Sequence, residues 1–254
     1  MVMRTFKLAD VEVPRVGLGT NRLTTASEHV EFVRQAVAEG VRHIDTAHLY
    51  SGGDSERAIG EALGDVREEV LVATKGGYRP GEGRPEVLRA QIEQSLRSLR
   101  TDAIGLYYLH RVDPETPLEE SLGTIRDHVD RGVIRHVGVS EVGIEQIERA
   151  RKIVPIAAVQ NRYNLAERRH DDVIDHCERE GIAFVPYFPL RGRAGPELAA
   201  AARRLGVGEN TVRLASLLQR SPVVLPIPGT LSIEHLRENI GALELDLERA
   251  GVTT

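Results

Sequence analysis

A (β/α)8 barrel is the fold this 254-residue sequence predicts. Short apolar runs rich in Val and Ile recur eight times, separated by longer segments of helical periodicity. Most of these runs are apolar throughout instead of alternating, as expected of strands covered on both faces. Eight such units fit in about 225 residues, the length this barrel needs, with no Pro/Gly/Ser-rich linker to divide them. Residues 1–254 are therefore expected to form one barrel domain.

The opening "FKLADVEVPR" reads as a small hairpin turned at "AD", placed to cap the barrel floor. "RVGLGT" (15–20) is the first strand, and "SEHVEFVRQAVAEG" is a helix with Ser27 as N-cap and Gly40 as its stop. "VRHIDTA" (41–47) precedes a helix near 55–63, and "VLVATK" (70–75) precedes one at 85–99 that starts on Pro85. "AIGLYYLH" (103–110) leads to a helix at 118–130, and "IRHVGVS" (134–140) to one near 144–152. "IAAVQN" (156–161) leads to a helix at 167–180 that ends at Gly181. "IAFVPYFP" (182–189) is followed by two helices, near 196–205 and 209–219; "VVLPIP" (223–228) leads into "SIEHLRENIGAL". An open doubly wound sheet is the competing fold, but it wants G-x-G-x-x-G after the first strand. "GLGTNR" supplies Gly17 and Gly19 and no third glycine.

Composition narrows the function classes. The chain carries 33 Lys and Arg against 38 Asp and Glu, a formal net charge of −5, so a nucleic-acid partner is not expected. Its single cysteine, Cys177, rules out an intramolecular disulfide framework and a cysteine-rich zinc site. No apolar run approaches the roughly 18 residues needed to span a bilayer, and "MVMRTFKLAD" lacks the apolar core of a signal peptide. A cytoplasmic monomer acting on a small molecule is the expectation.

In such barrels chemistry sits at the C-terminal ends of the strands. In order, those ends carry Thr20 and Asn21, Asp45 with Tyr50 just beyond, Lys75, His110, Ser140, Gln160 with Asn161, and Tyr187. Taken singly, Lys75 reads as a solvated strand-end lysine, His110 as a satisfied structural histidine, and Asp45 as a helix cap. Tyr107 and Tyr108 read as wall and core. Asp, Tyr, Lys and His on the adjacent strands two, three and four are harder to explain separately. A phenol has a pKa near 10, an ammonium beside it favours the phenolate, and a carboxylate keeps a buried Lys charged. Asp45 can hold Lys75, Lys75 can lower the pKa of Tyr50, and Tyr50 can give a proton to a carbonyl oxygen that His110 orients. Such a group suits carbonyl reduction, which also needs a hydride donor that no side chain supplies.

These motifs resemble the aldo-keto reductase superfamily over nearly the whole chain. "HIDTAHLYSGGDSE" resembles its D-T-A-x-x-Y segment, "VLVATKGG" its strand-three lysine and "LYYLHRVDP" its strand-four histidine. "GVIRHVGVSE", "AAVQNRYN" and "VPYFPL" resemble its cofactor segments on strands five to seven, and "LPIPGTLSIEHLRENI" its phosphate and adenine loop. The resemblance implies an NADPH-dependent reductase of aldehydes or ketones, with Tyr50 as general acid and Asp45, Lys75 and His110 as its partners. It implies that Ser140 and Gln160 bind the nicotinamide carboxamide, that Tyr187 stacks on the ring, and that Thr20 and Asp45 face the cofactor. Pro189 and Leu190 would line the pyrophosphate path, Gly229 and Thr230 would approach the adenosine phosphates, and Glu238 and Asn239 would hold the adenine. The subgroup resembled is that of bacterial reductases, some of which act on pyridoxal; His48, Asn21, Arg22 and the residues near Arg111 are expected to shape the pocket.

Several positions depart from the family pattern. Glu141 follows Ser140 where many members have Asn, and Phe188 replaces the usual Ser after the stacking Tyr. Gly229 and His235 stand where NADP-preferring members often carry Lys and Arg, leaving Arg191, Arg193 and Arg237 as the cations for a 2′-phosphate. Only "ELDLERAGVTT" follows the last barrel helix, so the usual C-terminal loop is expected to be missing and the substrate mouth open. Two alternatives remain: a nicotinamide-binding sensor or scaffold subunit, and a metal-dependent hydrolase. The latter would need more His or carboxylate ligands than Asp45 and His110 provide.

Overall fold

The computed structural model of the chain describes residues 3–8, 10–192, 195–247 and 250. Two antiparallel strands come first, β1 (Thr5–Leu8) and β2 (Val11–Pro14), with Leu8 opposite Val11. The expected turn lies between them, although its Ala9 is outside the described residues. Leu8 and Val13 are fully buried against Leu106, Tyr108, Ala158, Ala183 and Leu225, which fill the space enclosed by the strands. The hairpin therefore closes the floor, and Asp10 meets His136 near the start of a barrel strand at 2.7 Å.

Seven parallel strands follow in sequence order: β3 (Leu18–Gly19), β4 (His43–Asp45), β5 (Leu71–Gly76), β6 (Ile104–Leu109), β7 (Ile134–Ser140), β8 (Ile156–Gln160) and β9 (Ala183–Phe184). The predicted eighth strand, residues 223–228, closes the barrel without forming a full ladder. Toward β9, Leu225 N–H donates to Phe184 at 2.8 Å and Phe184 N–H donates to Val223 at 2.8 Å. Toward β3, the carbonyls of Pro226 and Pro228 accept from Gly17 and Gly19 at 3.0 and 3.2 Å. Proline has no N–H to return, so this seam carries only half its hydrogen bonds.

The outer layer is α1 (Ser27–Ala38), α2 (Asp54–Leu63), α3 (Pro85–Leu99), α4 (Leu118–Asp130), α5 (Ile144–Arg151), α6 (Asp171–Glu180), α7 (Pro196–Leu205), α8 (Glu209–Arg220) and α9 (Ile233–Gly241). Apolar residues at helical spacing, such as Leu88 and Ile92 or Leu122 and Ile125, bury against Tyr107, Leu109, Val137 and Phe184 of the strands. Each such side chain contributes roughly 1.5–3 kcal/mol by leaving water. Two expectations are corrected. Ser27 is the first helical residue and not the cap, for Ala26 precedes it and no side chain caps the helix. The sixth helix starts at Asp171 instead of 167, because Asn164 and Glu167 exchange backbone hydrogen bonds in a tight turn.

One polar tie anchors the closing seam. Arg15 is buried, and its guanidinium donates to the carbonyls of Leu218 (2.7 Å), Ser221 (2.5 Å) and Val224 (3.1 Å). It binds the approach to β3 to the end of α8 and the eighth strand. Cys177 is buried in α6, and burial pushes its thiol up to about 12, consistent with an inert packing residue. Among the described residues no helix is long and apolar enough to cross a membrane.

Candidate active site

A cleft of about 730 Å³ opens at the C-terminal ends of the strands. Asp45, Tyr50, His110, Ser140, Gln160 and Tyr187 all line it, although the sequence separates them by up to 142 positions. Lys75 lies just behind the wall, fully buried at the end of β5. Its ammonium donates to Asp45 Oδ1 and to the Thr46 carbonyl, both at 2.6 Å. Asp45 Oδ2 accepts from Gln160 Nε2 at 2.7 Å, so both carboxylate oxygens are engaged.

Tyr50 stands over this pair, its ring centroid 5.0 Å from the Lys75 nitrogen. The local sequence explains its placement. Ser51, Gly52 and Gly53 are all left-handed, with φ of 50°, 66° and 92°, and they turn the chain sharply into α2 as soon as Tyr50 has been presented. Glu141 (φ 56°) does the same after Ser140, and Phe188 (φ 52°) after Tyr187. Three site residues are thus each followed by a non-glycine residue in a conformation that costs free energy, a strain typical of functional sites. Glu141 explains its own departure from the family pattern. Its carboxylate accepts from Arg162 N–H at 2.6 Å and Arg169 at 3.2 Å, and it also bears on the Tyr187 hydroxyl at the cleft edge.

Electrostatics separates the four central groups. Burial works against the Lys75 ammonium, but Asp45 and then Tyr50 more than offset it, and the Lys75 pKa is raised. His110 is pushed down to about 2, first by burial and then by the Lys75 and Arg111 charges, so its imidazole is neutral. Its ring packs edge-on to Tyr50 at 6.1 Å and against Tyr78 at 4.8 Å. Neither ring nitrogen has a hydrogen-bond partner among the described residues. The expected lowering of the Tyr50 pKa is not what results. Burial raises it, and the Lys75 attraction opposes that rise without reversing it. Tyr50 is a protonated phenol at neutral pH.

The sequence profile of the Aldo/keto reductase family matches residues 15–197. The chain belongs to the aldo/keto reductase family. It is 36% identical to pyridoxine 4-dehydrogenase of Escherichia coli, over 100% of this chain and 98% of that one. A thermostable aldo-keto reductase solved with the inhibitor epalrestat superposes with a TM-score of 0.88 at 33% identity, covering 96% of this chain and 95% of the other. An aldo-keto reductase of Klebsiella pneumoniae, solved with NADP and acetate, gives 0.88 at 28% identity over 99% and 94%.

Other family positions fall in two places. Thr20, Pro189, Leu190 and Gly229 line the cleft with the central group. The Thr20 hydroxyl is already bonded, to the Asp45 carbonyl at 2.8 Å and to Ser55 at 2.9 Å, so it ties β3 to β4. Thr230, His235, Glu238 and Asn239 lie beyond the cleft wall, around the start of α9 and along it. Ser232 caps that helix by accepting from His235 N–H at 3.3 Å. Arg237, expected near a phosphate, pairs with Glu39, the residue that follows α1, at 2.6 Å. Arg193 lies outside the described residues. His48 does not line the cleft; its ring lies toward Glu82 and Arg79.

Arg22 and Arg111 line the cleft, as expected of the pocket neighbourhood, and so does Tyr78, which carried no expectation from the sequence. Arg22 donates to the Gly229 carbonyl at 3.3 Å. The signal for Arg111 is its place two residues beyond the end of β6, in the βα loop at the catalytic face of the barrel. Among the described residues no group of three or more His, Cys, Asp or Glu side chains is placed to hold a metal.

Proposed function

We propose that this chain reduces aldehydes or ketones to alcohols with NADPH, using Tyr50 as the proton donor. The observation that carries the reading is the buried Asp45–Lys75 pair, held at 2.6 Å directly beneath Tyr50 and beside a neutral His110.

The cleft fits a dinucleotide. Its volume lies in the range of ligand pockets, about 300–1,000 Å³. Gly19 and Gly229 pair across the seam, and a Cβ on Gly19 would stand 2.8 Å from the Ile227 carbonyl, so bare backbone forms this part of the floor. Ser140 and Gln160 would hold a carboxamide, and the Tyr187 ring would form a flat wall for a planar group. Arg22 and Arg191 supply cations at the rim where a 2′-phosphate would need them. The nicotinamide, when bound, supplies the hydride.

The chain's own residues handle the proton. Tyr50 remains protonated at neutral pH and so has a proton to give. As the carbonyl oxygen gains negative charge, Tyr50 donates to it, and the Lys75 ammonium stabilises the phenolate left behind. Asp45 holds that ammonium in place and charged. His110, neutral and with unpartnered nitrogens, directs an N–H at the same oxygen and orients the carbonyl. The Escherichia coli pyridoxine 4-dehydrogenase supports pyridoxal as the first substrate to assay. The experiment is NADPH oxidation with pyridoxal and a panel of small aldehydes, repeated with NADH. Turnover that favours NADPH supports the reading, and absence of turnover with every carbonyl refutes it.

A further inference from the structure

The chain is acidic overall, yet its cleft is lined by three arginines, Arg22, Arg111 and Arg191, and one acid, Asp45, whose oxygens are both taken. Of the three, Arg111 sits deepest. It is half-buried beside His110, with its guanidinium 5.4 Å from the Tyr78 ring and 5.9 Å from the Tyr187 ring.

Arg111 forms no ion pair among the described residues. Its partners are neutral: the His110 carbonyl at 2.7 Å, Ser140 Oγ at 3.1 Å and Tyr187 Oη at 3.5 Å, the last at the limit of a hydrogen bond. Two of its five N–H groups remain unused. Arg151, also half-buried, meets two carboxylates, Glu148 at 2.7 Å and Glu180 at 2.8 Å, whereas the buried Arg15 and Arg213 are held by clustered backbone carbonyls. Arg111 has a single carbonyl and two hydroxyls. A cation withdrawn from water without a counter-ion is costly unless a ligand provides the anion. A planar guanidinium fork matches a carboxylate on both of its edges.

We propose that Arg111 selects carbonyl substrates bearing an anionic group, a carboxylate in the simplest case, by pairing with that group while the carbonyl faces Tyr50 and His110. The inference rests on the reductase reading for its carbonyl but not for its anion. A charge-assisted pair of this kind is worth about 1.5–3 kcal/mol, or roughly ten- to a hundredfold in affinity.

The test compares 4-carboxybenzaldehyde with its uncharged methyl ester. The wild type is expected to favour the carboxylate by about tenfold or more in kcat/KM. Arg111→Gln brings that ratio near unity, and Arg111→Lys restores part of it. An unselective wild type, or a ratio that survives in Arg111→Gln, overturns the proposal. If Arg111 served only to position Ser140 and Tyr187, its loss would slow both aldehydes together and leave the ratio unchanged. Calorimetric titration with benzoate and with benzyl alcohol reads the anion site without turnover. Benzoate preferred by the wild type, with the preference lost in Arg111→Gln, sustains the anion site even if no aldehyde is reduced. Equal binding of the two overturns it.

Discussion

Gln160 donates a 2.7 Å hydrogen bond to Oδ2 of Asp45, the carboxylate oxygen that Lys75 leaves free. The two residues are 115 positions apart and come from opposite sides of the barrel, β8 and β4. Asp45 is therefore locked as a counter-ion and is not free to act as a base. The ammonium it holds is aimed at Tyr50.

Asp45→Asn should destabilise the fold markedly. Asparagine carries no charge, so the buried Lys75 ammonium would lose its counter-ion. Breaking one partner of a buried pair costs about 3–5 kcal/mol. Thermal unfolding should show a large drop in Tm, and the double variant Asp45→Asn/Lys75→Met should recover much of it without recovering turnover. A single variant as stable as the wild type would contradict the buried pair.

Acid should weaken the fold before the carboxylates titrate. His43 is pushed down to about 4, chiefly by burial, and His110 to about 2, while both take the ordinary value near 6.5 when unfolded. Below that value the unfolded chain binds protons that the folded chain refuses. Stability is therefore full above it and falls as the pH drops, by about 1.4 kcal/mol per pH unit for each histidine. Tm measured from about pH 7 down to about pH 5 should decline, and His43→Met should make the decline shallower. A flat profile would mean that both imidazoles are protonated in the fold. For the same reason kcat/KM should show no break near 6.5.

Arg15→Met should loosen the closing seam without touching the cleft. The guanidinium serves four carbonyls, those of Met3, Leu218, Ser221 and Val224, that methionine cannot bond, and stranding buried acceptors costs about 1–3 kcal/mol each. The expected result is a lower Tm with unchanged KM for NADPH. A changed KM would show that the seam and the cleft are coupled.

Much of this architecture was legible in the sequence because its signals are local. Pro85 and the left-handed Arg100 bound α3 where periodicity alone predicts it. The barrel strands read as unbroken apolar runs because helices cover them. Where sequence reasoning went astray, a distant partner decided the outcome. Arg237 has the charge for a phosphate and pairs with Glu39, 198 positions away, a partner its local sequence does not reveal. The pKa of Tyr50 follows from burial, which the motif around it does not reveal. The half-ladder at 223–228 was implicit in Pro226 and Pro228, whose missing N–H groups matter only once β3 lies alongside.

The role of Tyr50 is tested most directly by mixing the NADPH-loaded chain with pyridoxal in a single turnover, for the wild type and for Tyr50→Phe. That substitution leaves the Asp45–Lys75 pair and the cleft walls in place and removes only the phenolic hydroxyl, and with it the proton to be donated. Hydride transfer should slow by about 10²–10⁴-fold while NADPH affinity stays within about threefold. A Tyr50→Phe variant that reduces the carbonyl at the wild-type rate would contradict the assignment of Tyr50 as the acid.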